Sequence, residues 1–168
     1  TPQAEPRREP VPEARLLPRG RARDPVLPRD QGVVRLEAAQ EARVSRTVYT
    51  STVGTIGIPK DDLGTEDTAI DPKSIHGHYK GSKFQAERKA MAIAADGMQL
   101  VVVNPTAPVG PWDVKPTPTG KIVLDFLRRK IPAYLKTGMN LVDVADVVEG
   151  HILALEKGKS SERYILGN

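Results

Sequence analysis

The sequence predicts an α/β fold with a mainly parallel β-sheet and flanking helices, from about residue 33 to the C-terminus. Short β-branched runs alternate with helical patterns along this part of the chain, which is typical of sheets built from β-α-β units. The Val-rich run at 99–104 shows no alternation of polar and apolar residues, as expected for a central parallel strand covered on both faces. No internal repeat interrupts this order.

The first predicted elements are a helix, a strand, a loop and a second helix. Apolar residues at helical spacing over 36–42 predict a short helix that leads into a strand at Thr47–Ser51. Residues 58–75 are rich in Asp, Gly and Pro and predict an acidic loop suited to a substrate-facing flap. Good helix formers over 83–95 predict a helix, for which Gly97 is the expected stop.

The second half of the chain continues the alternation. After the strand at 99–104, a helix is predicted over Thr119–Arg129 and is terminated by Pro132. Another helix is predicted to begin at residue 143 or 144, with an apolar stripe and a stop at Gly158. A short strand at Arg163–Leu166 completes the predicted sheet.

The first 32 residues differ in composition from the rest of the chain. They contain seven Pro and seven Arg but no Lys and no aromatic residue, whereas every Lys lies at or beyond Lys60. Such a segment buries too little apolar area to offset its ordering entropy, so we expect residues 1–32 to be disordered or extended. The competing interpretation is a basic anchor for an acidic surface. We treat residues 33–168 as the folded part.

A tyrosine and a lysine four residues apart carry the most informative chemistry. Tyr79 and Lys83 occupy positions i and i+4 of a predicted helix and therefore share one of its faces. The ammonium would favour the phenolate and lower the pKa of the phenol, which could then exchange a proton at neutral pH. The simpler alternative is that Tyr79 packs against the sheet and Lys83 is a solvated surface residue.

The order of motifs along the chain resembles that of a known family. A strand ending in hydroxyls precedes the Tyr-x-x-x-Lys helix, and a Val-rich strand ending in Asn-Pro follows it. From about Leu36 to Asn168 this resembles the second half of an extended short-chain dehydrogenase/reductase, of the NAD-dependent epimerase/dehydratase family. Hopanoid-associated sugar epimerases and dihydroflavonol 4-reductases are the most similar members. The stretches that carry the resemblance are Gly77–Lys80, Ser82–Phe84, Asn104–Pro111, Lys115–Gly120 and Glu162–Gly167.

The resemblance implies a partial Rossmann-like sheet with a small C-terminal substrate-binding portion, and hydride transfer between a substrate and NAD or NADP. Tyr79 would be the acid/base, and Lys83 would lower its pKa and bind the nicotinamide ribose. Thr52, rather than Ser51, would hydrogen-bond the substrate oxygen, because Gly57 follows Thr52 at the family's spacing. The implied substrate is a nucleotide-sugar or a related carbonyl compound.

The resemblance also implies ligand contacts beyond the carboxyl end of the Val-rich strand, where open α/β sheets bind ligands. Asn104, Pro105 and Val109 would contact the cofactor, and Asn104 and Thr106 the substrate. Gly110 would permit a close backbone approach or a positive φ. The alternative for the Asn-Pro pair is an ordinary turn.

Other features argue against several classes of site and partner. The absence of Cys excludes disulfides and thiolate chemistry. His76, His78 and His151 are not spaced as metal ligands, and Asp146 is expected to cap a helix. No segment is long enough to span a membrane, so a cytoplasmic location is expected. Much of the excess positive charge is local to the first 32 residues, which disfavours a nucleic-acid partner, and the family allows a homodimer.

The glycine-rich turn that holds a dinucleotide pyrophosphate does not occur before Thr47. The chain therefore resembles the catalytic part of a truncated enzyme that lacks its cofactor-binding half. The alternative is a cofactor-less, non-catalytic remnant that acts at most as a binding or interaction domain. Residues 1–32 need not derive from the family at all, because G+C-rich DNA translated out of frame yields Arg, Pro, Ala and Gly.

Overall fold

The structure, a computed structural model, describes residues 31–59, 63–133 and 138–168. Disorder was expected in residues 1–32, of which residues 1–30 lie outside the described residues. The expectation can therefore be compared with the structure only at Gln31 and Gly32. These two residues form the start of the first helix.

Four helices and five strands alternate along the described residues, with two single 3₁₀ turns between β1 and α2. The elements are α1 (Gln31–Glu41), β1 (Thr47–Thr50), the 3₁₀ turns Val53–Thr55 and Pro72–Ser74, α2 (His78–Ala95), β2 (Leu100–Pro105), β3 (Ala107–Val109), α3 (Pro118–Leu127), β4 (Leu141–Asp143), α4 (Val144–Lys157) and β5 (Arg163–Leu166).

The main sheet has three parallel strands in the order β1-β2-β5. In its register Tyr49 lies beside Val102, and Val103 lies beside Tyr164. Every residue of β2 is buried, because β2 has a neighbour on each side and contacts α2 and α4. The predicted parallel α/β sheet with a fully covered Val-rich strand is confirmed.

Apolar side chains cover both faces of this sheet. On one face Leu36 of α1 packs with Ala90 and Ala94 of α2 and with Leu100. On the other face Val101 and Val103 pack against α4 through Ala154. Alternate residues of β2 thus point into two separate clusters, which is why its first four residues, Leu100–Val103, are all apolar.

Several element boundaries differ from the predictions. The first helix begins at Gln31 rather than near residue 36, because Val33 is buried one turn before Leu36 and extends the apolar stripe. The third helix ends at Leu127, before Arg129 and well before Pro132. No helix of the described residues has the length and apolar character that a membrane crossing requires.

The fourth helix is capped by a different aspartate from the one expected. The side chain of Asp143 accepts a hydrogen bond from the backbone N–H of Ala145 at 2.8 Å, whereas Asp146 lies in the first turn. Asp143 takes this position because it has an extended backbone at the end of β4, as an N-cap residue requires. Gly158 ends the helix, as predicted.

A second, two-stranded parallel sheet was not predicted. Ala107 of β3 pairs with Leu141 of β4, and Val109 pairs with Asp143. Each strand has only three residues, which is too short for an alternation pattern to appear in the sequence. This sheet and α3 form the small C-terminal portion beside the main sheet.

Candidate active site

The predicted catalytic pair lies at the beginning of α2. Gly77, with a φ of 85°, turns the chain into the helix that His78 begins. Tyr79 is therefore in the first turn and is 66% exposed, while Lys83 on the next turn is partly buried. Neither the phenol nor the ammonium has a hydrogen-bond partner among the described residues. Both groups remain available to a ligand.

The turn after β1 places Thr52 beside α2. Thr52 has an extended backbone, its hydroxyl oxygen accepts a hydrogen bond from the N–H of Gly54 at 3.3 Å, and it caps the 3₁₀ turn Val53–Thr55. This turn packs on α2, where the Lys80 side chain approaches Gly54. Ser51 is buried, whereas Thr52 is partly exposed.

A buried carboxylate connects this turn to the rest of the fold. Glu87 of α2 is only 4% exposed, and its Oε2 accepts hydrogen bonds from Thr55 Oγ1 at 2.7 Å and from Asn104 Nδ2 at 2.8 Å. Asn104 Nδ2 is also 3.1 Å from the carbonyl oxygen of Thr52. Asn104 therefore holds the backbone of Thr52 directly. Glu87 acts on it through Asn104 and through Thr55, whose Oγ1 lies 2.7 Å from the same carbonyl oxygen.

Through Arg163, the same carboxylate is also linked to the last strand and to the loop after Pro59. Arg163 of β5 donates to Glu87 Oε1 at 3.1 Å and to the carbonyl oxygen of Glu66. Glu66 Oε1 in turn accepts a hydrogen bond from the N–H of Ile165 at 2.9 Å. The predicted substrate-facing loop is thus attached, at Glu66, to the edge of the sheet where β5 ends. Its residues 60–62 lie outside the described residues.

Three polar atoms at the carboxyl ends of the strands lack partners. Ser51 Oγ, Asn104 Oδ1 and Thr106 Oγ1 are buried without a hydrogen bond. Leaving such an atom unpaired costs about 1–3 kcal/mol, so a bound ligand or water that pairs with it stabilises the site. These atoms are at the edge where parallel α/β sheets bind ligands.

Asn104 lies near the end of β2, and its side chain is fully buried within the fold. The reason is its amide nitrogen, which bonds to Thr52, Thr55 and Glu87. Pro105, at the end of the same strand, is buried as well.

Val109 lines a cavity of about 530 Å³ beside β3 and α3. Next to it, a Cβ on Gly110 would come within 2.3 Å of Val144 Cγ1. Gly110 is therefore packed against Val144, and a close approach of its backbone to a cofactor stays a prediction. The alternative of a positive φ there is wrong, since Gly77 and Gly97 are the glycines with positive φ in the described residues.

The arrangement fits the nicotinamide end of a dinucleotide. Tyr79 and Lys83 offer unpaired polar groups, and Thr106 and Asn104 supply unsatisfied atoms at the adjacent strand end. The described residues before β1 form one helix without a glycine-rich turn, so they do not supply a pyrophosphate site.

The sequence analysis missed Thr55, Glu87 and Arg163. The sequence did contain one signal for Glu87. This residue precedes Ala90 by three positions and Ala94 by seven, which places a carboxylate within the buried stripe of α2. A carboxylate in an apolar stripe is rarely tolerated without a partner. The identity of its partners was not visible, since they lie on other elements.

The histidines do not form a metal site in the part of the chain that the structure describes. His151 Nε2 is 2.9 Å from Thr50 Oγ1, and its Nδ1 is 2.7 Å from the carbonyl oxygen of Val147. His76 and His78 are exposed. No group of three His, Cys, Asp or Glu side chains within the described ranges could hold a metal ion.

Comparison with known proteins identifies the family. The model of the NAD dependent epimerase/dehydratase family matches residues 32–167. The chain belongs to this family. The match begins near the start of α1 and includes every described element after it.

Curated relatives share sequence with this chain over part of their length. A protein named "Putative dihydroflavonol 4-reductase" from Synechocystis sp. is 49% identical over 138 residues, which are 79% of this chain and 40% of that protein. Sterol demethylase protein B from Methylococcus capsulatus is 33% identical over 131 residues, or 78% of this chain and 40% of that protein. The chain thus spans about two fifths of the length of these relatives.

Solved structures agree with the family assignment. The crystal structure of gox2253 is 42% identical, with a TM-score of 0.77 over 82% of this chain and 42% of that chain. A nucleoside-diphosphate-sugar epimerase from Pseudomonas aeruginosa is 27% identical, with a TM-score of 0.72 over 79% of this chain and 44% of that chain. The predicted family and Rossmann-like fold are confirmed.

Proposed function

We propose that this chain is the catalytic part of an NAD(P)-dependent reductase or epimerase that acts on a small carbonyl compound. One observation carries the proposal: the fold brings Thr52 and its turn against α2, the helix whose first turns present Tyr79 and Lys83 without protein partners. Since the chain spans about 40% of its curated relatives, the activity of a complete protein is part of the proposal.

Tyr79 acts as the acid in the reducing direction. Its hydroxyl donates a proton to the substrate carbonyl oxygen while a hydride adds to the carbonyl carbon, which gives an alcohol. Lys83 stands one turn away on the same helix, where its ammonium can contact the same bound molecule. Thr52 donates a hydrogen bond to the same substrate oxygen.

The protein would hold the nicotinamide end of NAD or NADP, and this cofactor supplies the hydride when it is bound. Tyr79 and Lys83 would bind its ribose, and Pro105 and Val109 would lie on its nicotinamide side. Asn104 contributes indirectly, because its buried amide holds the Thr52 carbonyl and so positions the Thr52 hydroxyl. Thr106 is the candidate for a direct hydrogen bond.

Reduction is the better supported reaction. Beside the 49% identical relative, a cinnamoyl-CoA reductase from Medicago truncatula is 32% identical over 76% of this chain. Epimerisation is the second candidate, because the 27% identical structure is titled a nucleoside-diphosphate-sugar epimerase. A role in hopanoid synthesis, a cytoplasmic location and a homodimer are finer proposals that rest on the sequence resemblance.

A graft tests the reaction. Residues 33–168 replace the matching part of the Synechocystis relative, and the purified graft receives NADPH with deuterium at the transferred position. A reductase consumes NADPH and places one deuterium in an alcohol product, which mass spectrometry detects. A parallel assay supplies NAD⁺ or NADP⁺ instead, with which an epimerase removes and returns a hydride and inverts its substrate without net consumption of cofactor. A folded graft that does neither with aldehydes, ketones or nucleotide-sugars would contradict the proposal.

A further inference from the structure

The strongest feature outside the catalytic turn is the cavity of about 530 Å³ between β3 and α3. Apolar residues dominate its lining, and Val109, Trp112 and Leu124 are among them. None of the described residues that line it is basic. A nucleotide-sugar carries two negative phosphate charges, which proteins bind with Arg, Lys, backbone N–H groups or a helix N-terminus. The side chains of this cavity provide no such charge.

The beginning of α3 is already occupied by a carboxylate of the chain itself. Asp113 accepts hydrogen bonds from the N–H of Thr117 at 2.9 and 3.0 Å and from its hydroxyl at 3.0 Å. Thr117 Oγ1 in turn accepts from the N–H of Gly120 at 3.1 Å. A Cβ on Gly120 would lie 2.0 Å from Asp113 Oδ2, so the carboxylate packs directly on the helix. The carboxylate of Asp113 therefore occupies the N-terminal end of α3, where a phosphate would otherwise bind. Its negative charge also repels a phosphate nearby.

An exposed tryptophan marks the mouth of the cavity. Trp112 is 91% exposed and has a φ of 72°, in the left-handed region that bulky residues rarely adopt. Val114 beside it is 88% exposed, and Phe126 on α3 is 70% exposed. Strained backbone positions cluster at functional sites, and an exposed indole offers a large apolar face to a ligand.

We propose that this cavity selects an uncharged, apolar or aromatic carbonyl substrate and rejects nucleotide-sugars, with Asp113 as the residue that excludes phosphate. This deepens and rests on the proposed function. Of the two substrate classes implied by the resemblance, the cavity favours the simple carbonyl compound. Trp112 stacks on the apolar part of the substrate, while Leu124 and Val109 contact it from the inside of the cavity.

The experiment uses the 168-residue chain and needs neither cofactor nor turnover. Trp112 is the only tryptophan in the sequence, so its indole N–H gives a single resonance in a ¹H–¹⁵N spectrum. The probes are 4-phenylbutan-2-one, a neutral aryl ketone, and UDP-glucose at equal concentrations. We expect the ketone to shift the Trp112 resonance in a saturable way and UDP-glucose to leave it unchanged. Saturable binding of UDP-glucose alone, or of neither probe, overturns the proposal.

Two variants and a matched control identify the residues responsible. Leu124→Ala should weaken ketone binding about tenfold, since it removes apolar contacts inside the cavity. Ile122→Ala, on the same helix but outside the lining, should not change it. Asp113→Asn should raise the affinity for UDP-glucose at least about tenfold, by the loss of one repelling charge. An unchanged UDP-glucose affinity in folded Asp113→Asn refutes the role of Asp113.

The two proposals fail separately. If the ketone binds at Trp112 but the graft transfers no hydride, the cavity assignment stands and the reductase assignment falls. If the graft reduces UDP-4-keto-sugars and not aryl ketones, the reductase assignment stands and the substrate class is wrong.

Discussion

Replacement of Glu87 tests the buried network that positions Thr52. The carboxylate is 4% exposed and accepts hydrogen bonds from Thr55, Asn104 and Arg163. Glu87→Ala removes all three acceptor contacts and leaves the Arg163 guanidinium, whose side chain is only 23% exposed, without its carboxylate. Glu87→Gln keeps the volume but replaces one acceptor oxygen with a donor.

The structure sets the size of each effect. Removing one partner of a buried ion pair costs about 3–5 kcal/mol, because the other charge stays buried and unpaired. We therefore expect Glu87→Ala to lower the free energy of unfolding by about 3–5 kcal/mol. Glu87→Gln retains one acceptor oxygen and should lose about 1–3 kcal/mol, the cost of one buried group left unsatisfied.

Urea denaturation followed by far-UV circular dichroism measures both values. Trp112 is too exposed to report unfolding, so fluorescence is not used. The control is Glu149→Gln on α4, an exposed glutamate whose replacement should change stability by less than about 0.5 kcal/mol. If Glu87→Ala were no less stable than Glu149→Gln, the network would not hold this part of the fold together.

Three further predictions concern the hydroxyl, the pH dependence and the cofactor. In the graft, Thr52→Ser should keep activity and Thr52→Val should lower kcat by about 10²-fold, because only the hydroxyl bonds the substrate oxygen; equal activity of the two folded variants would exclude that role. Burial, and then the Glu87 carboxylate, raise the pKa of Tyr49. The stability that Tyr49 contributes is thus present below about pH 10 and is lost as the pH rises through its folded-state pKa. Urea titrations should therefore show a smaller loss above pH 10 in Tyr49→Phe, and an identical loss would contradict this. The isolated chain should bind NADH and NADPH weakly or not at all in calorimetry, since its sequence before Thr47 has no glycine-rich turn for the pyrophosphate; tight binding would overturn this prediction.

Local patterns predicted the parts of the fold that depend on neighbouring residues. The Val-rich run gave the buried central strand, and Gly97 and Gly158 marked the ends of two helices. The positions of Tyr79 and Lys83 on one helix also follow from local spacing. Each of these features is decided within one or two turns of chain.

The rest depends on contacts between distant residues. Asn104 was expected at an open edge, yet it bonds to Glu87, 17 residues away, and to Thr52, 52 residues away. The ion pair between Glu87 and Arg163 spans 76 residues. The strands β3 and β4 are three residues each and acquire their structure only by pairing with each other. The identity of a single residue, or the pattern of its immediate neighbours, does not show which distant residue it will contact. The buried network was therefore visible only in the structure.

The turnover of Tyr79→Phe in the graft tests the central claim most directly. Phenylalanine keeps the ring but removes the proton, so kcat should fall by about two to four orders of magnitude, the usual contribution of one general acid–base group. Tyr164→Phe on β5, whose hydroxyl oxygen accepts a hydrogen bond from the N–H of Lys159, is the matched control and should keep its activity. Far-UV circular dichroism should show both variants folded. A Tyr79→Phe graft with nearly full activity would contradict the assignment of Tyr79 as the acid/base.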